Sequence, residues 1–215
     1  VSTQQPPAKV LIADDHPVIV AALSEMLGSA LDMDSIRIDS VSDGDRLLQA
    51  LDDNLFDYLV MDLHMPGRLQ SVSLLRAVLE KQPRLQVVIY TGTELPSLAL
   101  TTLESGACAF VSKSSHPSTI IEAVLAVMRG NTYTDPAIDI ASAKTHPWRQ
   151  LSSAEQTVVL ALARGENLQA IALDSNRSYK TVTTHKYNAL RKLGLKSNDE
   201  LFRYLEKHGL GHLLQ

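Results

Sequence analysis

The stretch Val60-Met61-Asp62-Leu63-His64-Met65-Pro66 decides how the rest of the chain is read. An apolar run too short for a helix leads into a lone carboxylate, and Met65-Pro66 halts any regular continuation, because proline disfavours helical backbone in the residue before it. Asp62 is therefore expected at the exposed end of a buried strand. In open α/β sheets the crevice outside the carboxyl ends of the strands is where ligands bind, so the position suggests chemistry. Taken alone, Asp62 reads equally well as a solvated aspartate at a strand end.

Working outward, the same alternation repeats on both sides of this stretch. Lys9-Val-Leu-Ile-Ala13 is a short buried strand ending in Asp14-Asp15, and His16-Pro17 opens a helix with Val20, Leu23 and Leu27 at helical spacing. Strands are expected at 36–41, 58–62, 86–91 and 109–112, and helices at 45–51, 71–80, 97–104 and 118–129, the last two followed by Gly106 and Gly130. Five βα units imply a doubly wound, five-stranded parallel sheet with helices on both faces, spanning residues 8–130 after a frayed, Pro-containing start. Residues 131–147 break the rhythm with Pro136, Pro147 and small polar residues, and read as a linker. From Leu151 on, within a second domain at 148–215, only helices are expected. Ser152 and Glu155 form a capping box for a helix through Ala163, short helical stretches follow at 168–173, and a longer helix at 179–193 is closed by Gly194 before a last one at 198–207.

A chain of 215 residues with 45% apolar and 20% charged residues is an ordinary soluble globular composition, which excludes disordered and collagen-like classes. No apolar run approaches a membrane span, and the start lacks a basic region followed by an apolar core, so the cytoplasm is the expected compartment and no membrane partner is expected. A single cysteine, Cys108, agrees with that and reads as a small buried hydrophobe. Charge is divided unevenly. Residues 148–215 carry 10 Lys and Arg against 6 Asp and Glu, whereas the preceding residues carry 10 against 18. A basic part that meets nucleic acid and an acidic part that meets a cation are the natural reading.

The acidic part has a focus. Asp14 and Asp15 follow the first strand, Asp62 the third, Thr91 the fourth and Lys113 the fifth, and in a doubly wound sheet these ends converge on one edge. Three carboxylates meeting there repel one another unless a hard cation such as Mg²⁺ neutralises them. A carboxylate beside Mg²⁺ can accept a phosphoryl group, and Lys113 and the Thr91 hydroxyl can hold its oxygens. With these residues in hand, residues 8–130 resemble the receiver domain of two-component response regulators, through Asp14-Asp15, Met61-Asp62-Leu-His-Met-Pro66, Tyr90-Thr91-Gly92 and Gly106-Ala-Cys-Ala-Phe110-Val-Ser-Lys113. The resemblance implies that Asp62 accepts phosphate from a histidine kinase or phosphotransfer protein. It also implies that Asp15, Asp62 and the backbone carbonyl of His64 bind Mg²⁺ directly, that Asp14 holds it through water, and that Thr91 and Phe110 form a switch pair. Two departures from the family stand out: Ser114 follows the lysine where proline is common, and 67–72 lacks the usual Asp-Gly.

The basic part has its own focus in 178–193, which carries four positive charges and no acid. On a helical wheel Val182, Ala189 and Leu193 share one face with Leu190 beside it. Lys180, Thr183, Thr184, Tyr187 and Arg191 share the other, and Lys186 must snorkel outward from the inner side. A short helix, a turn and a longer basic helix is the helix-turn-helix plan, whose second helix enters the major groove; a solvated face in a helical bundle is the plainer reading. Residues 151–207 are similar to the LuxR-type domain of the NarL/FixJ subfamily, through Leu151-Ser-Ser-Ala-Glu155, Gly165, Ile171-Ala172, Thr181-Val-Thr-Thr-His185 and Lys192-Leu-Gly-Leu195. That similarity implies Thr183, Thr184 and Tyr187 toward base edges and Lys180, Lys186, Asn188, Arg191 and Lys192 toward phosphates of double-stranded DNA. Ser175 and Arg177 stand where the family has apolar residues, and Asn176-Arg177-Ser178, with the loop after Pro66, resembles Rcs-type regulators.

The reading these features favour is a response-regulator transcription factor, not an enzyme beyond its own phosphoryl transfer and dephosphorylation, working as a homodimer on DNA. A regulator of the same fold that works independently of phosphorylation, or through a heteromeric partner, accounts for the same motifs. A Mg²⁺-dependent phosphohydrolase leaves the basic helix without a role and lacks a dedicated second acid or base.

Overall fold

The computed structural model describes residues 6–31 and 35–214. The expected fraying of the first residues concerns positions largely outside the described ones. Most of the chain up to Ile138 forms one compact unit, and the chain from Asp139 on belongs to a second.

The first unit is a parallel sheet in the order β2-β1-β3-β4-β5-β6. Its strands are β1 (Ala8–Ala13), β2 (Ile36–Val41), β3 (Tyr58–Met61), β4 (Gln86–Thr91), β5 (Ala109–Ser112) and β6 (Tyr133–Thr134). The helices between them are α1 (Pro17–Leu31), α2 (Gly44–Asp53), α3 (Ser71–Lys81), α4 (Pro96–Glu104) and α5 (Pro117–Met128). Val10 and Ile12 of β1, Val60, Val88 and Val111 pack with Leu23 and Leu27 of α1 and with Ile120, Ala123, Val124 and Val127 of α5. Residues offset by one along the strands, Leu11, Leu59, Met61, Ile89 and Phe110, point to the opposite face and are equally buried. Both faces are therefore covered, which is why the strands read as continuous apolar runs. The entry to α3, lacking Asp-Gly, is made by Ser71 in the left-handed region at φ 53°, its N–H donating to the Leu63 carbonyl at 3.0 Å.

The sheet has six strands, not the five expected. Tyr133–Thr134 lies inside the stretch read as a linker and pairs with Ala109 and Phe110 of β5. Two residues followed by Asp135-Pro136 are too few to show a period, so nothing in the pattern marks a strand. Topology hides it further. The connection through α5 runs over the face that α1 also covers, but moves across the sheet in the opposite direction, so the two crossovers differ in hand, and the usual right-handed βαβ rule gives no reason to place a strand there. The rest of 131–147 contains α6 (Ile140–Lys144), capped by the Asp139 side chain on Ser142 N–H, and the start of a 3₁₀ turn at Pro147–Gln150.

The second unit is helical, as expected: α7 (Ser153–Ala163), α8 (Leu168–Asp174), α9 (Tyr179–Leu193) and α10 (Leu201–Lys207). The Ser152–Glu155 capping box is formed in both directions, and Gly194 closes α9 at φ 70° in the left-handed conformation. Trp148, Leu151, Val158, Val159, Leu162, Ile171, Val182, Leu190, Leu193, Leu201 and Leu205 make the core. Leu173 does not compensate for Ser175, since it is 82% exposed. Instead the Ser175 hydroxyl donates back to the Ile171 carbonyl at 2.5 Å, and a cleft of 160 Å³ remains between Thr157, Val158, Ile171, Ser175 and Arg177.

Because that cleft has an apolar floor, Ser175→Leu should stabilise the second unit by about 1 kcal/mol. Urea unfolding of the full chain followed by circular dichroism measures it, and a lower midpoint would show that the cleft cannot take the side chain.

Candidate phosphoryl site and nucleic-acid interface

The strand order reverses between β1 and β3, and there the chain brings its acidic residues together. Asp14 and Asp15 follow β1, Asp62 follows β3, and the ligand-type atoms of Asp14, Asp15, His16 and Asp62 lie within 4.8 Å of one another. Asp14 and Asp62 are 3% and 4% exposed, so neither charge is relieved by bulk water. Lys113 supplies the countercharge: its Nζ is 2.7 Å from Asp62 Oδ2 and 2.7 Å from Asp14 Oδ2. Asp62 Oδ1 accepts the His64 backbone N–H at 3.1 Å. Burial pushes the Asp62 carboxyl up, but the Lys113 ammonium, the His64 N–H and the Thr91 hydroxyl outweigh it and hold it below the ordinary carboxylate range. Burial likewise pulls the Lys113 ammonium down, and the two aspartates more than reverse this, so it is held above its ordinary value.

Two enclosed oxygens, Asp14 Oδ2 and Asp15 Oδ1, have no hydrogen bond among the described residues. Each has an ion-pair contact instead, Lys113 Nζ at 2.7 Å from Asp14 Oδ2 and His16 Nδ1 at 2.9 Å from Asp15 Oδ1. Enclosed carboxylate oxygens facing a shared crevice with one ammonium between them are a donor set that suits a hard divalent cation.

Thr91 is fully buried at the end of β4, its Oγ1 3.3 Å from His64 Nδ1. Phe110, also fully buried, pairs with Ile89 in register and so lies on the same side of the sheet as Thr91. Sequence reasoning used His64 only for its carbonyl; the ring contact with Thr91 is visible only in three dimensions. His16 was the more legible omission, since it adjoins Asp14-Asp15, and its backbone N–H donates to Asp14 Oδ1 at 2.9 Å.

Of the residues assigned to DNA, Lys180, Thr184, Tyr187 and Arg191 are exposed on α9, Tyr187 by 62%. Lys186 does snorkel, its Nζ lying 4.8 Å from the centroid of the Tyr187 ring. Asn188 is half-buried. Two residues sit differently from the rest. Thr183 Oγ1 is enclosed with no partner among the described residues, and Lys192 Nζ is engaged inside the unit, 2.7 Å from Glu155 Oε2 and 3.1 Å from the Gln150 carbonyl. Arg177, read from the sequence only as a departure from the family, is exposed on the turn before α9 with Nη1 3.3 Å from His185 Nε2. Its position beside Ser178 at the helix entry was the available signal.

An acidic crevice with a bridging lysine on a parallel sheet, followed by a helix-turn-helix unit, defines a class: a receiver joined to a DNA-binding domain. Residues 10–125 match the response regulator receiver domain, and residues 149–205 match the bacterial regulatory proteins of the luxR family. The chain belongs to the response regulators of this receiver-plus-LuxR-type family. It is 31% identical to the oxygen regulatory protein NreC of Staphylococcus carnosus (strain TM300), covering 94% of this chain and 98% of that one. It is 27% identical to the response regulator GacA of Pseudomonas aeruginosa, covering 94% and 97%. Among solved structures, RcsB from Salmonella enterica serovar Typhimurium bound to promoter rprA in the presence of phosphomimetic BeF3- is similar at a TM-score of 0.67 and 25% identity, covering 92% of this chain and 98% of that one. No described helix is long and apolar enough to cross a membrane.

Replacing Lys113 by Met removes the ammonium that opposes burial, so the Asp62 carboxyl should titrate higher than in the parent. Carboxyl ¹³C NMR of the full chain reads this, and an unmoved titration would show that Lys113 does not set it. Lys192→Ala should destabilise the second unit by about 2 kcal/mol by stranding Glu155, whereas Arg191→Ala should leave stability within about 0.5 kcal/mol. Burial raises the Glu155 carboxyl but Lys192 and Ser152 lower it further, so this contribution is present above 4.5 and is lost as the pH falls through the lower native value. Denaturant midpoints of parent and variants at pH 7 and in a series descending below pH 4.5 test both statements.

Proposed function

We propose that Asp62 is the phosphoryl acceptor of this response regulator and that its phosphorylation controls DNA binding by the second unit. The observation that carries the reading is the single ammonium of Lys113 placed 2.7 Å from both Asp14 and Asp62 at the mouth of the sheet. Asp62, its carboxyl held below the ordinary range chiefly by Lys113, supplies the nucleophilic oxygen. A new O–P bond forms at Asp62 while the P–N bond of a phosphohistidine breaks, and the imidazole of the donor leaves. Lys113 then pairs with a phosphoryl oxygen, and the Thr91 hydroxyl donates to another. The donor is a histidine kinase or a phosphotransfer protein. Mg²⁺ would fit this acidic crevice: Asp14, Asp15, Asp62 and the His64 carbonyl are the groups that would hold it, and it would supply neutralisation of the phosphoryl charge.

When Thr91 turns toward the phosphoryl group it leaves His64, and Phe110 on the same side of the sheet repacks into the space released. The changed receiver surface favours a homodimer, which sets two α9 helices on half-sites about one helical turn apart. RcsB, at 25% identity, is a dimer on DNA in one solved structure, which supports this arrangement. Lys180, Thr184, Lys186, Tyr187, Asn188 and Arg191 form the contact face, with Thr183 contributing its methyl group and Lys192 anchoring the helix on which that face is built. Such a regulator works where the chromosome is, in the cytoplasm.

Fluorescence anisotropy on an operator selected from random DNA tests the reading. With acetyl phosphate and Mg²⁺ the affinity of the parent should rise about tenfold, roughly 1.4 kcal/mol, and that of Asp62→Ala should not. Equal rises, or none in either protein, would overturn phosphorylation control and favour a phosphorylation-independent regulator or one acting through a heteromeric partner. Affinity should fall steeply with salt, and Arg191→Ala should reduce the slope of log K against log [salt] by about 1.

A further inference from the structure

Asp135 is 2% exposed, lies directly after β6, and takes no part in the crevice described above. Its N–H donates to the Phe110 carbonyl at 2.9 Å, which continues the β5–β6 pairing by one step. Its carboxylate is turned toward the loop that carries Lys113. Oδ2 accepts the Ser112 backbone N–H at 3.0 Å and the Ser115 hydroxyl at 2.6 Å, and Oδ1 accepts the Ala137 N–H at 2.9 Å. A buried carboxylate is costly unless its charge is met by donors, and here three converge on it.

The two residues held by Oδ2 bracket Lys113-Ser114. On the other side of the same loop the Lys113 N–H donates to the Thr91 carbonyl at 2.8 Å, and the Ser112 hydroxyl donates to Glu94 Oε1 at 2.9 Å while accepting the Ser114 N–H at 3.0 Å. The loop that lacks the proline common in its relatives is thus fixed by hydrogen bonds from both sides. We propose that Asp135 is a positioning residue for Lys113, so that the segment leaving the first unit is itself part of the phosphoryl site. This rests on the reading of Asp62 as the phosphoryl acceptor. Asp135 touches neither donor nor metal; it acts by fixing the backbone from which the Lys113 ammonium spans Asp14 and Asp62.

The test is the rate at which the full chain takes phosphate from acetyl phosphate with Mg²⁺, resolved on phosphate-affinity gels, for the parent, Asp135→Asn, Ser115→Ala, Lys113→Ala and the Lys113→Ala/Asp135→Asn double variant. Asp135→Asn should slow labelling about fivefold and Ser115→Ala, which removes one donor and spares the fold, about twofold. The readout that separates positioning from general loosening is the double variant: it should label no more slowly than Lys113→Ala alone, because Asp135 acts through the lysine. Calorimetric Mg²⁺ affinity should be unchanged in Asp135→Asn, because none of the metal carboxylates is touched. Normal labelling of both Asp135→Asn and Ser115→Ala, or losses that multiply in the double variant, would overturn the proposal and leave Asp62 as acceptor. A parent that takes no phosphate, like an Asp62→Ala control, would overturn the acceptor reading and this proposal with it.

Discussion

Two buried carboxylates and one ammonium hold the mouth of the first unit together. Asp14 and Asp62 come from neighbouring strands on either side of the point where the sheet reverses direction, and without a cation between them their repulsion would act directly on the ends of β1 and β3. Lys113 reaches them from β5, two strands beyond β3, so a single side chain fastens the centre of the sheet to its far side. The arrangement is stable enough to fold and yet unfinished, because one ammonium is shared by two carboxylates, and among the described residues one oxygen each of Asp14 and Asp15 has ion-pair contact without an aligned hydrogen bond. A group that brings positive charge has a place waiting. One that brings negative charge must compete with the carboxylates for the lysine, and that competition is what lets a covalent event here be felt elsewhere.

The helical unit uses the same device for a different end. Glu155 closes the capping box of α7 and at the same time receives Lys192 from the last turn of α9. α9 is thereby locked in rotation against the helix behind it, and the side chains on its outer face inherit a fixed angle. The LuxR-type resemblance points Lys192 toward a phosphate, because a resemblance carries over a position and not the reach of the side chain that stands there. A long side chain near a helix end can bend back to a buried acid, and this one does.

What could be read from the chain follows the length of the signal. The strands ending in Asp14, Asp62, Thr91 and Lys113 are apolar runs bounded by turn residues, so the convergence of those four side chains was legible before any coordinate was known. The capping box at Ser152 and the glycine closing α9 were legible for the same reason: each is a local rule confined to a few residues. Tyr133–Thr134 was not, because two residues carry no period and the pairing that makes them a strand is with a segment more than twenty positions away. The Asp135 contacts were hidden with it; an aspartate before a proline reads as a turn. Likewise, the ring of His64 and the hydroxyl of Thr183 owe their surroundings to distant packing, which residue type alone does not disclose.

The short sixth strand also governs how the sheet ends. An open sheet exposes unpaired backbone at its two borders, an invitation to add a strand from another chain. Here the border beyond β5 is covered by a strand of two residues, and Pro136, which has no N–H to offer, follows within two positions. The opposite border, β2, turns Arg37 and Asp39 to solvent in alternation with its apolar residues. Neither border is a good template for continuing the ladder, so copies of this unit that meet in solution are steered away from fibre-like growth and toward contact through helices and loops.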